Sequence, residues 1–94
     1  MLNKENIDLC WQVLSKYGIE NQQRMVIEEC AELQKSVCKR FRKDTLAHRD
    51  SFIEELIDVI VMCQQMLLVE RLPMQEVNDM ARVKLERALK DGNV

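Results

Sequence analysis

The chain has 94 residues, 47% of them hydrophobic and 32% charged, with two glycines and one proline. This is the balance of a helical globular domain, and it excludes a disordered chain. The formal net charge of −2 gives no overall drive towards a nucleic acid polymer or an anionic membrane, and no stretch reaches the roughly 18 apolar residues of a membrane span.

The first helix is predicted over about residues 4 to 17, capped by Asn3. Ile7, Cys10 with Trp11, Leu14 and Tyr17 recur at helical spacing, and Gly18 terminates it. Asn21 is the expected cap of a second helix running to about 42, with Val26, Cys30, Leu33, Val37 and Phe41 on one stripe. The polar segment "RKDTLAHRD" connects it to a third helix of about 51 to 71, which begins either inside that segment or at Ser51, where Glu54 could complete a capping box. Its run "LIDVIVMCQQMLLV" is apolar around most of the circumference and must be covered on several sides. A 94-residue chain buries only about two-thirds of its unfolded surface, so a second subunit is expected to share that task. Pro73 suits the first position of a fourth helix with Val77, Met80, Ala81, Leu85 and Ala88 inward, ended by Gly92. The expectation is an all-α, four-helix single domain spanning residues 1 to 94. The N-terminus lacks a cationic segment followed by a long apolar run, which makes the cytoplasm the expected location. Cys10, Cys30, Cys38 and Cys63 show no C-x-x-C spacing and are expected to be reduced core residues.

The carboxylates need a separate explanation. At 100° per residue, Glu29 and Glu32 of "EECAE" lie roughly 60° apart on one side of the second helix, and Glu28 points elsewhere. On the third helix, Glu55 and Asp58 of "EELID" have the same relation, with Glu54 off to the side. If the two helices pack antiparallel, four carboxylates face one point, an arrangement that like-charge repulsion disfavours without a cation. Hard oxygen donors suit Mg²⁺, or Mn²⁺, better than zinc or copper. A bundle di-iron centre would use E-x-x-H pairs, whereas the one histidine, His48, falls in the connection and is expected to be solvated. Solvated helix faces rich in Glu, a good helix former, are the competing explanation. The cationic segment "KSVCKRFRK" at 35 to 43 could meet phosphate, or could simply complement the helix dipole in solvent.

Together, "EECAE" at 28 to 32 and "EELID" at 54 to 58 resemble the E-E-x-x-E followed by E-x-x-D signature of the MazG-like, all-α nucleoside triphosphate pyrophosphohydrolases. The likeness extends over almost the whole chain, to the short single-domain members of phages and Gram-positive bacteria, through "RMVIEECAEL", "EELIDVIVMCQQM" and "KLERALK". It implies magnesium on Glu29, Glu32, Glu55 and Asp58, and hydrolysis of a nucleoside triphosphate to its monophosphate and pyrophosphate, a housecleaning activity on the nucleotide pool. It also implies a homodimer, or a tetramer built from dimers, completing the bundle. Glu32 or Glu29 is the expected base, with Glu28 a weaker candidate. Lys39, Arg42, Lys43 and Lys84 are the expected partners of the substrate phosphates. The alternative is a non-catalytic helical module that binds a nucleotide or a protein partner.

Overall fold

Four helices follow one another in the computed structural model, which describes residues 1–93: α1 (Lys4–Tyr17), α2 (Ile19–Arg42), α3 (Leu46–Val69) and α4 (Met74–Asp91). No strand is present among the described residues. The fold is all-α, as the periodicity of apolar residues predicts.

Asn3 begins α1 as expected, its Oδ1 accepting from the Asn6 amide at 2.9 Å. The second boundary differs. Gly18, at φ 88° and ψ 152°, both ends α1 and precedes α2, so the chain turns in one residue. Asn21 therefore lies inside α2 and donates its side-chain amide to the Tyr17 carbonyl at 2.7 Å, which satisfies an orphan carbonyl of α1. The third helix starts at Leu46, not Ser51, because Thr45 Oγ1 accepts from the His48 amide at 3.1 Å and supplies the cap earlier. Its far end closes with Arg71 at φ 58°, the Arg71 amide bonding to Leu68 and the Leu72 amide to Leu67, the paired bonds of a Schellman motif. Pro73 then sits at the N-cap of α4, and Gly92 in the left-handed region ends it.

The long helices α2 and α3, joined only by residues 43–45, form the main packed pair. Arg40 fastens the turn end of this hairpin, paired with Asp44 at 3.1 Å and lying 5.3 Å from the centre of the Phe52 ring. Helix α1 lies against both, whereas α4 makes no close backbone approach to any of the three. Beside the first turns of α4 lies an apolar recess lined by Leu67, Leu72, Val77, Met80, Ala81 and Lys84.

The core is correspondingly thin. Cys10, Leu14 and Met62 are its buried apolar residues, while Phe41 is 86% exposed and Leu89 91%. Trp11 and Tyr17, placed on the inner stripe of α1 by spacing, are exposed, as are Met80 and Leu85 of α4. All four cysteines are free, but only Cys10 is buried, and Cys38 and Cys63 face solvent. The most enclosed side chains of α3 are Gln64 and Gln65, with Gln64 Oε1 accepting from the Leu2 amide at 3.2 Å and so holding the N-terminal segment. The isolated chain exposes 7432 Å², about 1,800 Å² more than a folded monomer of its 11.1 kDa mass exposes. Its radius of gyration is 15.4 Å, against about 12 Å for a compact domain of this length. No helix among the described residues is long and apolar enough to cross a membrane.

The corner between α1 and α2 yields a backbone test. A Cβ at Gly18 would meet nothing within 4 Å, yet its φ and ψ fall in a region open essentially to glycine alone. Gly18→Ala should therefore lower stability by about 1–3 kcal/mol through strain without any clash. Denaturant unfolding should show a smaller loss for Gly92→Ala, whose left-handed conformation ends the last helix, where fraying costs little.

Candidate metal and phosphate site

The site grows from the register of the α2–α3 hairpin. Stepping forwards along α2 from Glu29 by three, four and three residues gives Glu32, Ser36 and Lys39. The same steps backwards along α3 from Asp58 give Glu55, Ser51 and His48. Helical neighbours three and four apart share a face, so two antiparallel helices meeting along these positions present layers of acid, acid, serine and, last, lysine with histidine. The side chains bear this out at both ends of the series.

At the acid end, Glu29, Glu55 and Asp58 each offer a carboxylate oxygen within 4.8 Å of the others. Burial pushes the Glu29 carboxyl above the usual carboxylate range, and the charges of Asp58 and Glu55, a side-chain hydrogen bond with Asp58 and the charge of Glu32 push it the same way. Glu55 Oε2 is enclosed and has no hydrogen-bond partner. An enclosed carboxylate oxygen without a donor is costly, and a cation is the partner that would also offset the surrounding charge. Glu32 lies outside the closest group of three, its Oε1 3.5 Å from Lys35 Nζ. Glu28 and Glu54 lie outside the group too, as their helical angles predict.

Further along the seam is a cavity of about 250 Å³ lined by Glu32, Lys35, Ser36, Lys39, His48, Ser51 and Glu55. Ser36 is 6% exposed and its Oγ has no partner. His48 is not the freely solvated residue expected from the sequence. The earlier start of α3 carries it onto the helix, where it is half-buried and Nδ1 donates to the Lys43 carbonyl at 2.6 Å. Of the four cations expected to meet phosphate, Lys39 lines this cavity, whereas Arg42, Lys43 and Lys84 do not. Lys84 instead borders the recess beside α4. Lys35, Ser36, His48 and Ser51 were reachable from the sequence by continuing the motif along both helices.

Although Cys63 is exposed, partial desolvation raises its thiol above the ordinary range and Cys30 of α2 adds to the shift, a second sign of close approach by the two helices. In protein-family models, curated proteins and solved structures alike, no match to the chain is found.

The acid group predicts a particular response to charge removal. Two unit charges 4.8 Å apart repel by about 1 kcal/mol where water screens them. In chelator, Glu29→Gln should leave the protein as stable or raise Tm by a few degrees, the shift of about 1 kcal/mol or less in a domain this small. The wild type should also show a pH signature. Because the folded state raises the Glu29 pKa, it binds a proton more readily than the unfolded chain does. The Glu29 contribution is fully present below the ordinary glutamate value of about 4.3 and is lost as pH rises through the higher folded value. Thermal melts of metal-free protein across that window should show this slope, and Glu29→Gln should flatten it.

Proposed function

We propose that this chain is a magnesium-dependent nucleoside triphosphate pyrophosphohydrolase of the MazG-like kind, acting as a homodimer or a dimer of dimers. The observation that carries the reading is the Glu29, Glu55 and Asp58 group, in which Glu55 Oε2 is enclosed without a hydrogen-bond partner. An all-oxygen donor set on two facing helices fits Mg²⁺, with Mn²⁺ as the nearest substitute. The paired E-x-x-E and E-x-x-D spacing supports the same reading from the sequence.

When bound, the cation supplies charge neutralisation for the phosphates and lowers the pKa of a water. Glu29, Glu55 and Asp58 would hold it. Glu32, outside that group and 3.5 Å from Lys35, is the carboxylate assigned to take a proton from the attacking water. The water oxygen bonds to the α-phosphorus as the bond from that phosphorus to the α–β bridging oxygen breaks. The electron pair of that bond leaves with pyrophosphate, and the nucleoside keeps one phosphate. Lys39, beside Glu32 and Glu55 in the seam cavity, offsets negative charge on the departing group.

The uncovered apolar surface supports assembly. A surplus of about 1,800 Å² per chain, buried on both partners, falls within the 2,000–5,000 Å² of obligate dimers. The exposed Ile53, Ile57 and Ile60 of α3, and Met80 and Leu85 of α4, supply its apolar part. The same surface also favours the second reading, a helical module that binds another protein without turnover. Release of pyrophosphate separates the two.

Wild-type protein with Mg²⁺ should convert a nucleoside triphosphate to monophosphate and pyrophosphate, and chelator should stop it. Diphosphate and orthophosphate as products, or turnover in excess chelator, would refute the mechanism. Glu32→Gln should lower kcat about 10²-fold or more, the usual weight of a positioned general base. Light scattering at micromolar concentration should give at least twice the chain mass of 11.1 kDa. A folded, monodisperse monomer would remove the assembly.

A further inference from the structure

The geometry points to a pyrophosphate subsite in the cavity between the turn end of α2–α3 and the acid group, formed by Lys35, Ser36 and Lys39 of α2 with His48 and Ser51 of α3. It rests on the pyrophosphohydrolase reading and deepens it, by fixing which way the polyphosphate lies along the seam. The phosphorus under attack sits at the Glu29 and Asp58 end, and the departing diphosphate points towards Lys39 and His48.

The serine at the cavity wall requires a ligand of hydrogen-bonding character. Ser36 is more than nine-tenths buried, and its hydroxyl has no partner, which costs free energy unless something in the cavity supplies one. Every other polar group around it is a donor to an anion or a carboxylate of the metal end. Lys35 and Lys39 bring ammonium groups, Ser51 a hydroxyl and His48 an imidazole. Since Nδ1 of His48 donates to the Lys43 carbonyl, the ring is oriented by the backbone, and Nε2 is left to donate to a phosphate oxygen when the ring carries both protons. The opposing charges are Glu32 and Glu55, both on the side facing the acid group, and Glu32 is already drawn to Lys35 at 3.5 Å. This polarity suits a chain of phosphates whose inner end shares a cation with the carboxylates. It does not suit an apolar group. At about 250 Å³, the cavity is smaller than the roughly 300–1,000 Å³ of pockets that enclose drug-sized ligands, so it suits the diphosphate alone and leaves the nucleoside outside. The seam from the Glu32–Glu55 layer to the Lys39–His48 layer covers seven residues of rise, roughly 10 Å.

The chain's single histidine gives a direct probe. Sodium pyrophosphate titrated into wild-type protein with Mg²⁺ should move the imidazole nitrogen resonances of His48 in a saturable way. The concentration range should be the one in which calorimetry detects binding. Lys39→Ala and His48→Gln should each weaken that binding about tenfold, the scale of one lost charge-assisted hydrogen bond. Circular dichroism and an unchanged thermal shift with Mg²⁺ would show that the variants fold and keep the acid group. The subsite is overturned if the imidazole resonances stay fixed while pyrophosphate saturates the protein, or if both variants bind as the wild type does. Should that happen while nucleotide turnover persists, the reaction stands without this subsite. Pyrophosphate bound through Lys39 and His48 in a protein that hydrolyses no triphosphate would keep the subsite and remove the reaction.

Discussion

Like charges held together between two helices are the constraint on which the rest of the structure depends. The α2–α3 seam is where a helical hairpin would ordinarily bury Leu and Ile, yet its middle carries Glu29, Glu55 and Asp58 within 4.8 Å. Packing that brings them there works against their repulsion, so the hairpin must be held by other contacts. Met62 and the paired glutamines at one end, and the Arg40–Asp44–Phe52 cluster at the other, are those contacts. These acids are the donors of the proposed cation site, and Glu55 contributes an enclosed oxygen without a hydrogen-bond partner.

The same seam explains what could be read from the sequence and what could not. Helix count and type followed from apolar spacing, and the approach of Glu29, Glu55 and Asp58, though not of Glu32, from the helical angle, because both depend on local periodicity. Boundaries depended on single side chains competing for orphan amides. Thr45 captured the His48 amide and started α3 ahead of Ser51, which in turn carried His48 from an expected loop into the wall of the cavity. Burial was the least legible. Spacing assigns Trp11, Tyr17, Phe41 and Leu85 to inner stripes, but which stripe finds a neighbour depends on how the helices pack, and within one chain these four find little. Cys38 and Cys63 are exposed for the same reason.

Helix α4 makes this plain. Its amphipathic pattern is clear, its N-terminal turns approach Leu67 and Leu72, and beyond that its apolar face has no cover within the chain. An amphipathic helix gains most of its stability from packing that face, so α4 is the element that the proposed assembly would stabilise most. Lys84, carried on α4 away from the seam of its own chain, would then depend on the assembly for any role near a substrate.

The central claim, that the seam gathers its carboxylates around a divalent cation, is tested most directly by residue-resolved NMR during a Mn²⁺ titration. Paramagnetic broadening should appear first at Glu29, Glu55 and Asp58, reach Glu32 and Ser36 next, and be reversed by competing Mg²⁺. Broadening that instead follows scattered surface acids such as Glu5, Glu20, Glu70 and Glu86, or that spares the seam at concentrations affecting those residues, would contradict the account.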